Sequence, residues 1–321
     1  MAFRRALTRI RNFKTTQGLC KRSLSAQAEA KENEKKRTHF GFETINEEEK
    51  TKKVHEVFET VADKYDLMND VMSMGIHRMW KDIFMQRLAP TPGTKLLDMA
   101  GGTGDITFRY INYLRNLGHR DTHKSSHVTV SDINQAMLDV GKVRAERQGY
   151  TGDPSVSIDW LCADAETLPL PDDSYNAYTI AFGIRNCTHV DKVLEEAYRV
   201  LQPGGRFMCL EFSQLPNTQL QWIYDQYSFQ VIPVLGQLVA GQWKPYQYLV
   251  ESIRQFPDQE TFKTMIENAG FRQVTSHKIP EGGECARPIL SFVSYPYPRS
   301  RSDSHLQTTP QRAQSDPIHR G

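Results

Sequence analysis

Three aspartates close successive apolar runs in this 321-residue chain: Asp98, Asp132 and Asp164. Behind the first lies a loop of small residues, Gly101-Gly-Thr-Gly-Asp105, and then an apolar run from Ile106 to Leu114. A strand, a tight glycine turn and a helix open a nucleotide-type α/β fold. Gly101, Gly102 and Gly104 suit a backbone that must turn sharply and approach a ligand closely, where a Cβ would stand in the way. A carboxylate at the end of the second strand suits a ribose, because it can accept from two hydroxyls at once. Taken singly, each aspartate could equally be a helix N-cap or a turn residue. Three in register favour one ligand beyond the carboxyl ends of the strands.

The ligand's charge narrows the choice. Dinucleotide folds use G-x-G-x-x-G, with a third glycine beside the pyrophosphate. Here Ile106 occupies that place, and Asp98 and Asp105 flank the loop. Acids there would repel an anion and tolerate a cationic sulfonium. Asp164-Ala165 would then meet an adenine edge.

The elements that must position these residues alternate. Val54, Val57, Phe58 and Val61 mark an amphipathic helix within 46–63. Strands are predicted at Lys95–Met99, Val128–Ser131, Ser157–Cys162, Ala177–Ala181, Arg206–Phe212 and Phe271–Ser276, with helices through Met137–Val143, Val190–Leu201 and Phe256–Gly270. This alternation implies a mostly parallel sheet with helices on both faces. The segment Leu220–Ala240 is apolar and aromatic but broken by Pro233 and Gly236. It reads as a lid over a greasy site or as a helix pair on the core, and it is too broken to span a bilayer.

Composition is ordinary for a soluble globular chain, 39% hydrophobic and 24% charged, with a formal net charge of +2. The ends differ from the middle. Before Glu29 there are seven basic residues up to Arg22 and no acid, with Phe3, Leu7 and Ile10 at helical spacing. Residues 1–37 therefore read as a mitochondrial transit peptide; the alternative is a basic arm for nucleic acid, which the body gives no support. Of five cysteines none forms a C-x-x-C pair, so neither a metal site nor a disulfide framework is expected. Cys162 and Cys209 lie in apolar runs and are expected to be buried. Residues 282–321 are rich in Pro, Ser, Arg and Gln and are expected to be disordered. That leaves 38–281 as the folded domain, with an N-terminal helical lid.

With these motifs in place, the chain resembles the class I S-adenosylmethionine-dependent methyltransferases and, more narrowly, the ubiquinone/menaquinone C-methyltransferase family. The resemblance rests on Tyr65–Asp70, Gly75–Lys81, the Leu97–Asp105 loop, Asp132–Asn134 and Ala163–Pro169. It continues through Phe182–Asn186, Leu201–Phe207, Leu210–Ser213 and Tyr248–Arg254, covering roughly residues 40–280. It implies a Rossmann-like α/β fold and S-adenosyl-L-methionine as cofactor, contacted by Thr103, Asp132, Asp164 and Ala165. It also implies C-methylation of a polyprenyl benzoquinol ring in ubiquinone synthesis. Other enzymes of a coenzyme Q synthesis complex, the matrix face of the inner membrane and, as one arrangement, a homodimer are the implied partners; no nucleic acid is.

Methylation of a ring carbon needs an aligned acceptor, a favoured phenolate and a proton acceptor. Arg185 is the first choice to hold the phenolate oxygen or a water, with a structural ion pair as its alternative. Asn186 would orient the same oxygen. His77 is the conventional base by pKa, unless it is only an exposed histidine at a helix start. Tyr65 and Asp66 would belong to the lid. The ending departs from the family: Lys278–Pro288 replaces the usual last strand. The expectation is a sheet that lacks the family's final strand and a less stable protein, with Ile289–Val293, closely preceded by Pro288, as the candidate substitute. A scaffold without activity remains a competing reading; an NAD-dependent oxidoreductase is disfavoured by Ile106.

Overall fold

The computed structural model describes residues 37–61, 69–70, 73, 75–117, 125–212, 219, 222, 225–226, 229–241, 243–278 and 289–296. The basic N-terminus, Tyr65, Asp66 and most of 213–228 lie outside them.

A hairpin of β1 (Arg37–Phe40) and β2 (Glu43–Asn46) leads into helix α1 (Glu47–Val61). Helix α2 (Ile76–Leu88) precedes the main sheet. Then β3 (Lys95–Met99), α3 (Asp105–Asn116), β4 (Ser126–Asp132), α4 (Gln135–Arg147), β5 (Val156–Cys162) and β6 (Tyr175–Ala181) follow in turn. A single 3₁₀ turn at Ile184–Asn186 joins β6 to α5 (Val190–Val200) and β7 (Leu201–Phe212). The chain continues through α6 (Ile232–Ala240), α7 (Lys244–Gln255), α8 (Gln259–Asn268), β8 (Phe271–Lys278) and β9 (Ile289–Pro296).

The seven-stranded sheet runs β5-β4-β3-β6-β7-β9-β8. The first five strands are parallel, as the βαβ alternation requires. Side chains alternate between two cores. Tyr178 and Phe207 point to one, with Val193, Leu194, Phe262 and Phe271. Their neighbours Ala177 and Met208 point to the other, with Trp80, Phe84, Tyr110 and Val128. Burial on both faces is why these strands read as nearly continuous apolar runs.

The expected gap at the end of the sheet is filled. β9 lies antiparallel between β7 and β8, pairing Cys209 with Phe292 on one side and Ser276 with Phe292 on the other. The expected disordered tail thus contains a strand over 289–296.

Three other expectations change. The helix expected from Phe256 starts at Gln259, because Asp258 caps it by accepting from the Thr261 N–H at 2.9 Å. Lys244–Gln255 forms a separate helix ahead of it. Cys162 ends an edge strand and is exposed, whereas Cys209 is buried. The apolar α6 packs on the core through Ile232 against Tyr246 and Val250. Gly236 permits that contact, since a Cβ there would lie 2.3 Å from the Tyr246 ring. The other side of α6 exposes Val234 and Leu238. No described residue of α6 lines the cavity below.

Candidate active site

A cavity opens beyond the carboxyl ends of β3, β4, β5 and β6. Its floor is the turn after β3. Gly102 has φ +53, and a Cβ on Gly101 would approach Val130 Cγ1 to 2.6 Å. Only glycine permits that close packing of the turn on β4 and the left-handed backbone that follows it. Ala100 (φ 51) and Phe182 (φ 58) also hold left-handed backbone where β3 and β6 end, and both line the cavity. Such conformations cost of order 1–2 kcal/mol each in a non-glycine residue and concentrate at binding sites.

Asp98, Asp132 and Asp164 all face this space. Asp98 is buried and accepts from Thr107 Oγ1 at 2.7 Å and Thr179 Oγ1 at 3.0 Å. Burial pushes its carboxyl up to about 6, against the pull of those two hydroxyls. Asp132 accepts from the Gly102 N–H at 3.0 Å and the Asn134 N–H at 2.9 Å. Burial likewise raises it to about 6. Its bond to Gly102 ties the end of β4 to the glycine turn. Asp164 accepts from the Glu166 N–H at 2.9 Å and leaves its side chain exposed at the rim. Ala165 is buried beside it. Thr103 is buried, its hydroxyl held by Arg144 Nη1 at 2.8 Å.

Asp105 carries less free charge than its position suggests. It is bonded to Lys81 Nζ at 2.6 Å and also to Arg109, and these cations hold its carboxyl well below the usual range. The repulsion of an anion by the loop therefore falls mainly on Asp98.

Helix α1 forms a wall through Thr51, Val54, His55 and Phe58. Its amphipathic spacing was legible, but its apolar face turns toward the cavity as well as the core. Lys50 Nζ donates to the Cys187 carbonyl at 2.8 Å. His189 bridges Glu166 at 2.7 Å and Glu47 at 3.3 Å, and Asn134 Nδ2 donates to the His55 carbonyl at 3.4 Å. These bonds latch α1 over the strand ends.

The floor of glycines, the ribose-suited Asp132 and the adjacent Asp164-Ala165 match in sequence as they do in space. Residues 46–288 fit the ubiE/COQ5 methyltransferase family. The chain belongs to that family. It is 65% identical over 263 residues, 81% of this chain and 87% of the other, to a Drosophila melanogaster protein. That relative is named 2-methoxy-6-polyprenyl-1,4-benzoquinol methylase, mitochondrial. Proteins of the same name from Dictyostelium discoideum and Homo sapiens are 55% and 53% identical, over 78% and 81% of this chain and 85% and 86% of theirs. The chain is accordingly a methyltransferase, and S-adenosyl-L-methionine is its methyl donor.

Within this family member, the acceptor-side candidates part company. Asn186 lines the cavity and accepts from the Tyr248 hydroxyl at 3.0 Å. Tyr248 is fixed in turn by stacking on Phe40, with centroids 4.2 Å apart. Arg185 does not line the cavity. It is buried, donating to Glu211 Oε1 at 2.8 Å and to the Phe182 carbonyl. Its structural alternative, an ion pair at a strand end, is the geometry found. His77 is buried rather than exposed and also lies off the cavity. Its Nδ1 is 2.9 Å from Ser73 Oγ, and burial with nearby Lys81 pushes its pKa down to about 4. It is neutral at physiological pH.

Sequence reasoning passed over Lys81, Glu211 and Tyr248. Glu211 lies next to the end of a strand and Lys81 sits in a basic helix, so neither type nor spacing distinguishes them from salt-bridge residues. Tyr248 lies in a stretch noted only for its resemblance.

Proposed function

We propose that this chain transfers the methyl group of S-adenosyl-L-methionine to a ring carbon of a polyprenyl benzoquinol, as the names of its relatives indicate. The observation that carries the reading is the convergence of Asp132, Asp164-Ala165, Gly101–Thr103 and Asn186 on one cavity.

The cofactor supplies a methyl group on a positively charged sulfur. Asp132 would hold the ribose hydroxyls, Asp164 and Ala165 the adenine, and Thr103 with the glycine turn the remainder. Val54, Phe58 and Phe182 exclude water, which strengthens every polar contact inside. Asn186 orients the phenol oxygen of the quinol, or a water that takes the ring proton, and Tyr248 fixes the Asn186 amide. Arg185, clamped by Glu211, holds the Phe182–Asn186 turn in place behind the cavity wall. The depressed pKa of His77 makes it a weak base, and its distance from the cavity wall leaves it a supporting role in α2.

We place the protein in mitochondria, on the matrix side of the inner membrane. No described helix is long and apolar enough to cross a membrane. Helix α6 has no charged residue and exposes Leu238 and Val234, with exposed Trp243 next to it, and this apolar patch is the surface we assign to the membrane contact. Other enzymes of a coenzyme Q synthesis complex would be met there.

Calorimetric titration of S-adenosyl-L-methionine into the parent chain and Asp132→Ala tests the cofactor half. Binding in the parent that is lost in the variant is expected. Equal binding by both would remove Asp132 from the site.

A further inference from the structure

The ionisable residues around the cavity are unbalanced. Asp98, Asp105, Asp132, Asp164 and Glu166 face it, against Lys81 and His55. His55 lies on α1, its Nδ1 3.6 Å from Glu59, which leaves Lys81, on α2, as the lysine or arginine among the cavity's lining residues. Lys81 is only 5% exposed. Its ammonium has three donors, and the one acceptor it meets among the described residues is Asp105 Oδ2, at 2.6 Å. Asp105 is also bonded by Arg109, so its charge is matched without Lys81. Phe182 covers another side, its ring centroid 6.0 Å from Nζ. A buried ammonium with donors to spare, facing a cavity, needs an anion to complete its shell.

Resting on the cofactor reading above, we infer that Lys81 binds the α-carboxylate of the cofactor's amino-acid end. With the ribose on Asp132, the amino-acid end runs over the glycine turn toward Asp98 and Asp105. A zwitterionic α-amino acid meets its complement there: Lys81 for the carboxylate and Asp98 for the ammonium. The roles are complementary in charge, so a neutral or inverted residue at 81 removes selectivity for this end of the ligand and spares the nucleoside end. Lys81 also explains how an acid-rich cavity accepts a ligand carrying a carboxylate.

The test compares two ligands that share the nucleoside. S-adenosylhomocysteine carries the amino-acid end, and 5′-methylthioadenosine lacks it. In Lys81→Met, the dissociation constant for S-adenosylhomocysteine is expected to rise roughly ten- to a hundredfold, the range of a charge-assisted hydrogen bond. Methylthioadenosine affinity is expected to stay within about twofold of the parent, and Lys81→Arg, which keeps the charge, to recover part of the loss. Should Lys81→Met fail to fold, Lys81→Gln, which keeps a donor to Asp105, serves in its place. Equal weakening of both ligands, or of neither, overturns the inference. A parent chain that binds neither ligand refutes the cofactor reading instead.

Discussion

Asp98 and Asp132 are carboxylates kept where their charge is costly, and the cost has a measurable signature. Each is raised from 3.8 to about 6 by burial. A group whose folded pKa exceeds its unfolded value loses stability as pH rises, here between about 4 and 6. For Asp98 the shift corresponds to roughly 3 kcal/mol. Asn can satisfy the Thr107 and Thr179 hydroxyls, because these rotate to accept as well as donate. Asp98→Asn is therefore expected to melt higher than the parent at pH 8 without ligand and level with it near pH 4. A pH series of thermal melts checks this, and parallel curves would contradict it. Arg185 and Glu211 give a second test. Their side chains are 4% and 1% exposed. Arg185→Met strands a buried carboxylate and should cost about 3–5 kcal/mol in chemical denaturation. Adding Glu211→Leu should restore most of that, because a packed apolar pair can replace a buried ion pair. If the double variant is stable yet inactive, Arg185 acts on the substrate as well as on the fold.

At the level of elements, the local strand and helix pattern was readable wherever packing and propensity agree. Lys95–Met99 and the acidic ends of the next two strands were visible because βαβ units impose both periodicity and order. What escaped was pairing between distant segments. Ile289–Val293 was apolar enough to be weighed as a substitute strand, but nothing local to it announces that β7 and β8 leave a slot one strand wide, and Pro288 and the surrounding low-complexity composition argued against it. The hairpin at Arg37–Asn46 escaped for a similar reason: its two four-residue strands are too short for a period of two to stand out. The site divides the same way. Asp132 and the glycine turn were legible from order along the chain, whereas Lys81 became a candidate only when α2 packed against α3. The inserted strand also carries a prediction. Val293 pairs with Met208 and Thr275 across both neighbours. Val293→Pro removes a ladder donor in an interior position and should cost about 3 kcal/mol or more, read as a lowered denaturation midpoint. An unchanged midpoint would mean that β9 contributes little to the sheet.

For the whole molecule, the account joins a cofactor cavity at the strand ends to an apolar helix that faces outward. Leu238 is 76% exposed, so a charge there costs the isolated fold little. Leu238→Glu should leave thermal stability within about 0.5 kcal/mol of the parent. It should also weaken cosedimentation with vesicles of inner-membrane lipid composition, while undiminished cosedimentation would move the membrane contact elsewhere. The central claim is carbon methylation of a quinol ring, and one measurement meets it directly. The full chain is incubated with deuteromethyl S-adenosyl-L-methionine and a short-chain prenyl methoxybenzoquinol kept reduced, and the product is read by mass spectrometry and NMR. The account predicts a product with the deuterated methyl on a ring carbon and one ring hydrogen gone. A methyl group on oxygen, or no transfer by a chain that binds the cofactor, would contradict it.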